Sequence, residues 1–125
     1  MNTTVRTYLI ELARKRTNQT VTYQKLSDDC NLGLHMHENP YDRVVIGNLL
    51  GEISEYEHNH GRPLLSSLVI RLNDGEEGEG FYKLAERLGY GKVKKLKDNL
   101  FEHEQIAECI EFWTNSKNYI SNKEI

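Results

Sequence analysis

The 125-residue chain has few of the features that would force an unusual answer. It has no apolar run near the roughly 18 to 20 residues that span a bilayer, and Met1 to Arg6 lacks the charged and apolar regions of a signal peptide. A cytoplasmic protein without membrane contact is therefore expected. Two cysteines, Cys30 and Cys109, are too few and too far apart for a disulfide framework, and neither belongs to a CxxC pair. Two partly buried thiols are expected instead. Positive charge is not in excess, since 16 Lys+Arg stand against 19 Asp+Glu for a net charge of −3. That balance removes any global attraction to nucleic acid and leaves only local patches. With no repeat, low-complexity tract or Pro/Ser linker, residues 1–125 read as a single domain.

What is present is mostly helical spacing. Val5, Tyr8, Leu9, Leu12 and Ala13 follow the i, i+3, i+4, i+7, i+8 pattern, with Thr3 or Thr4 as N-cap. Gln19 to Tyr23 reads as a short extended stretch, and a second helix marked by Tyr23, Leu26 and Cys30 should start at Thr22 as its cap. Asn31 to Pro40 contains Gly33 and Asn39-Pro40 and reads as a loop. A third helix is predicted from about Tyr41, with Ile46, Leu49, Leu50 and Ile53 as its apolar stripe and Gly61 as its stop. Gly51 inside it costs about 1 kcal/mol against Ala, which suggests close approach by another backbone. Leu64, Leu65, Leu68, Val69, Ile70 and Leu72 read as a buried strand. After the loop Asn73 to Gly80, Phe81, Leu84, Ala85 and Leu88 resume helical spacing, and a last helix from about Asp98 carries Leu100, Ile106, Ala107, Ile110 and Trp113.

The order helix, extended stretch, helix, helix, strand, Gly-containing loop resembles a winged-helix domain over about residues 5–81. Thr20, Val21 and Thr22 would pair with Leu68, Val69 and Ile70. The motif Gly61-Arg62-Pro63-Leu64-Leu65-Ser66-Ser67-Leu68-Val69-Ile70, followed by Gly78-Glu79-Gly80-Phe81-Tyr82-Lys83-Leu84-Ala85, resembles one in small uncharacterised bacterial proteins and implies no particular activity. The expected class is α+β, mainly α, with a winged-helix-like core and an added C-terminal helical part over about 82–120.

The charges depart from a DNA-reading winged helix, in which the third helix and the wing lie beside bases and phosphates. Here the third helix offers Glu52, Glu55 and Glu57, and the wing region offers Asp74, Glu76, Glu77 and Glu79. Such groups repel a polyanion. The basic cluster lies later, in Arg87, Lys92, Lys94, Lys95 and Lys97, and reads either as a phosphate-contacting patch or as a solvated connector.

Two HxH pairs, His35/His37 and His58/His60, raise a zinc site. Alternate residues share a face only on a strand, however, and these lie in a loop and at a helix end, so surface histidines and no metal or other cofactor are expected. Catalytic patterns are weaker. Asp28-Asp29 and Glu52/Glu55 are paired carboxylates of the kind common on solvated helix faces. Ser66-Ser67 lacks a GxSxG elbow, and the glycines of Gly75 to Gly80 lack the Lys-Ser/Thr of a phosphate loop. These readings point away from an enzyme. They favour a regulatory or interaction module that presents an acidic surface to a basic protein partner, with a nucleic-acid-binding regulator using Arg87 and Lys92 to Lys97 as the alternative.

Overall fold

A computed structural model describes residues 1–72 and 78–125. The first helix, α1 (Thr3–Ala13), begins one residue earlier than its threonines suggest, because the Asn2 side chain accepts the Val5 backbone N–H at 2.9 Å. Val5, Leu9, Leu12 and Ala13 are buried as the spacing requires, and Arg6 is buried with them. A two-residue strand β1 (Val21–Thr22) leads into α2 (Tyr23–Asp29), which Thr22 caps by accepting from Lys25 N–H. The following loop is pinned by side chains: Gln24 binds the Leu34 carbonyl and the Met36 N–H, which brings Met36 into the core.

Asn39 caps α3 (Pro40–Asn59), with Pro40 in the first turn where its missing N–H costs nothing. Ile46, Leu50 and Ile53 are buried and Leu49 is half-buried. Gly61, at φ 73°, ends the helix by folding Arg62 N–H back onto the Glu57 carbonyl. Among the described residues, no atom beyond the neighbouring backbone of α3 itself lies within 4 Å of where a Cβ would stand on Gly51 or Gly47, so the close backbone approach expected at Gly51 is not made by them.

The expected strand over Leu64 to Leu72 is mostly something else. Leu65–Leu68 forms a 3₁₀ turn, and only Val69–Ile70 is strand β2. The reason lies in side chains that take the place of a ladder. Ser54 Oγ of α3 accepts Ser66 N–H at 3.0 Å, and Gln105 Oε1 accepts Leu64 N–H at 2.9 Å. β1 and β2 pair in parallel, Val21 with Val69 and Thr22 with Ile70.

Beyond residue 77 come α4 (Glu79–Arg87), α5 (Val93–Asp98), α6 (Phe101–Thr114) and α7 (Ser116–Asn122). The lysine run is thus partly a short helix, not only a connector. The face assigned to the last helix also needs correction. Leu100 is exposed with φ 55°, Ala107 is exposed, and the buried positions are Phe101, Gln105, Cys109 and Trp113, spaced four apart, together with Glu102. The main core joins α1, β1, α2, Met36 of the loop, α3, the 3₁₀ turn, β2 and α6. A second cluster joins Leu64 with Phe81, Tyr82, Ala85, Leu96 and Phe101. Mainly helical architecture with a small two-stranded sheet is therefore the observed class.

Candidate functional site

The outer face of α3 is set by the same period that buries Ile46, Leu50 and Ile53. Val44, Asn48, Gly51, Glu52 and Glu55 turn the other way and, with Arg43 and Gly47 beside the buried stripe, form one wall of a groove of about 1020 Å³. The start and one face of α4 form the opposite wall through Glu79, Gly80, Lys83 and Arg87, and Leu50, Phe81 and Leu84 supply apolar floor. Thr22, Tyr23, Met36 and His37 line one part of it, and Arg71 and Leu72 another. With no side chain on Gly47 or Gly51, the α3 wall is low there.

Of the acidic residues expected to form one surface, Glu52, Glu55 and Glu79 do line this groove. Glu57 does not, which corrects the expectation. It lies four residues after Ile53 and seven after Leu50, so it continues the apolar stripe into the interior and is fully buried. There Arg6 Nε and Arg62 Nε each donate to its carboxylate at 2.7 Å. The Tyr56 ring lies 5.4 Å from the Arg6 guanidinium and 5.5 Å from that of Arg62. Glu57 is a structural charge, paired because an unpaired one would be expelled or neutralised. Asp74, Glu76 and Glu77 lie outside the described residues.

The basic cluster divides too. Arg87 lines the groove and sits 3.4 Å from Glu55, and Lys97 contacts Glu79 at 2.5 Å. Lys92, Lys94 and Lys95 stand exposed at α5, away from the groove, with Lys94 near Asp98. Two members of the basic set are therefore already paired with two members of the acidic set. The Lys97 ammonium, hydrogen-bonded to Glu79, holds that carboxyl below its ordinary range. Glu52 lies 2.9 Å from the Met1 amino nitrogen.

The histidine pairs do not gather. His58 Nδ1 meets the Tyr90 hydroxyl at 3.0 Å and His60 Nδ1 meets the Tyr56 carbonyl at 2.8 Å, while His35 and His37 are exposed in the loop before α3. Among the described residues no three His, Cys, Asp or Glu side chains come together as a metal site would need. Cys109 is buried, its thiol donating to the Leu64 carbonyl at 3.3 Å, and Cys30 is half-buried. Ser66 and Ser67 are buried, and the Ser66 hydroxyl accepts from Ser54 Oγ at 2.6 Å.

Comparison of the chain with protein-family models, with curated proteins and with solved structures gives no match. Among the described residues no helix is long and apolar enough to cross a membrane. Sequence reasoning missed Arg43, Gly47, Asn48 and Lys83 as groove residues. The signal was present for Asn48, which lies off the helical stripe formed by Ile46, Leu50 and Ile53, but not for Arg43, which lies three residues before Ile46 and seven before Leu50 and so falls on that stripe.

Proposed function

We propose that the chain is a non-enzymatic regulatory or interaction module that binds a basic segment of a partner protein along the α3–α4 groove. The groove itself carries this reading, because it combines an apolar floor with the rim glutamates Glu52, Glu55 and Glu79. These share the rim with Arg43, Arg71, Lys83 and Arg87, so a basic segment would be met at the glutamates and not by a groove of net negative charge. Val44 and Leu72, 55% and 67% exposed, add apolar surface that a partner would cover. The rim glutamates have partners in the chain, but exposed pairs of this kind contribute only about 0–1 kcal/mol, so incoming Lys or Arg side chains displace them cheaply. Their main effect is to steer encounter.

The order α1, β1, α2, α3, β2 supports a winged-helix-like core for this part of the chain. In that frame α3 is the helix that DNA readers place in the major groove, where Glu52 and Glu55 would face phosphates unfavourably. A protein partner fits those charges better. One observation favours the second reading, a nucleic-acid regulator using Arg87 and Lys92 to Lys97: Lys92, Lys94 and Lys95 are exposed together. That patch is reduced by the engagement of Arg87 and Lys97 with Glu55 and Glu79.

A photo-crosslinker attached at Gly47→Cys tests the groove directly, since a side chain there meets open space. Crosslinking in the native host should capture a protein through a basic segment. Capture of nucleic acid, or labelling that is identical when the probe is moved to Lys117→Cys, would remove the groove from the account.

A further inference from the structure

We propose that α7 is a polar strap that opens from α1 as one unit ahead of the rest of the fold, with the Arg6–Glu57–Arg62 cluster as its socket. No side chain of α7 is fully buried. Apart from the half-buried Tyr119 ring, which packs against the main core, the helix is held by polar and cation–π contacts, most of them to α1 and to Arg14 just after it. At its far end Arg6 donates through Nη1 to the Lys123 carbonyl at 2.8 Å and through Nη2 to the Asn122 carbonyl at 2.9 Å. Arg62 Nη1 reaches Asn122 Oδ1 at 3.3 Å. In the middle, Tyr119 donates its hydroxyl to Glu11, and its ring lies 3.7 Å from the Arg14 guanidinium.

These contacts exchange for contacts with water when the helix leaves, so their net hold is far weaker than apolar burial of equal extent. A seven-residue helix is also unstable alone, so once undocked it melts rather than lingering half-attached. The socket keeps its own shape meanwhile. Arg6 and Arg62 remain bonded to Glu57, and three charged groups with one carboxylate between them leave a net positive charge beside the Tyr56 and Trp113 rings. One residue, Asn115, separates α7 from α6 and caps α7 by accepting Asn118 N–H. That places the hinge next to Trp113, the only tryptophan of the chain.

Hydrogen exchange on the full chain tests this. Amides of residues 119–123 should share one opening equilibrium and exchange about 100-fold or more faster than those of α3. The variant Tyr119→Phe with Asn122→Ala should speed α7 exchange further and leave α3 protection unchanged. Protection that climbs steadily from residue 123 back towards residue 119 would be simple end-fraying and would overturn the strap. So would α7 protection equal to that of α3, or a variant that lowers both alike or fails to fold.

Discussion

Glu55 and Glu57 stand two residues apart on α3 and meet opposite fates. Glu57 is fully buried between two guanidiniums, and Glu55 stands on the groove beside one exposed arginine. An α-helix turns about 100° per residue, so two steps carry a side chain to the other side. The pair teaches that a helix rich in glutamate is not thereby an acidic surface. What decides is whether each glutamate falls on the apolar period or off it. The energetic consequences differ as widely as the positions, since removing one partner of a buried pair strands the others in a low dielectric, whereas exposed partners return to water.

The largest expected effect is therefore at the buried end. Glu57→Gln leaves Arg6 and Arg62 without their shared counter-charge and should destabilise the fold by about 3–5 kcal/mol. Urea midpoints read this, and a loss no greater than that of Glu55→Gln would erase the contrast. Ile53→Ala, at a fully buried position on the same face, should cost about 2–5 kcal/mol, and half-buried Leu49→Ala clearly less. Equal losses would mean that the apolar face of α3 is drawn wrongly. On the groove side, Glu55→Gln and Arg87→Gln should each change stability by less than about 1 kcal/mol, measured the same way.

The smallest effect concerns Glu79. Its carboxyl titrates below the ordinary range because of Lys97, so the pair stabilises the fold above the carboxyl's unfolded pKa. That contribution is lost as pH falls through the lower folded value. Melting temperatures of wild type and Glu79→Gln should converge slightly on going from neutral to acid pH. A gap that widens would reverse the assigned sign.

Much of the fold was legible because periodicity and capping are local. The stripe of α1, the Thr22 cap and the Gly61 stop all follow from residues within a few positions of one another. The run from Leu64 to Ile70 was not, because Ser54 and Gln105, 12 and 41 residues away from the backbone groups they bind, replace the ladder that its composition suggests. The face of α6 was misread for a related reason: Gln105 is buried to serve Leu64, so the buried row does not read as apolar. Glu52, Glu55 and Glu79 were singled out by charge, and they line the groove. Glu57 was grouped with them because charge was weighed without helical phase, although its spacing from Ile53 and Leu50 already placed it inside.

The groove's role rests most directly on one titration, that of a partner recovered by crosslinking at position 47, and of duplex DNA, at two salt concentrations. The variants are Glu52→Lys with Glu55→Lys, and Lys92, Lys94, Lys95 and Lys97 all changed to Gln. The account predicts that the glutamate reversal slows association with the protein and weakens it by about tenfold or more, most strongly at low salt, while the lysine variant changes little. Undiminished partner binding by the reversal, together with DNA affinity that the lysine variant loses along with part of its salt dependence, would contradict it.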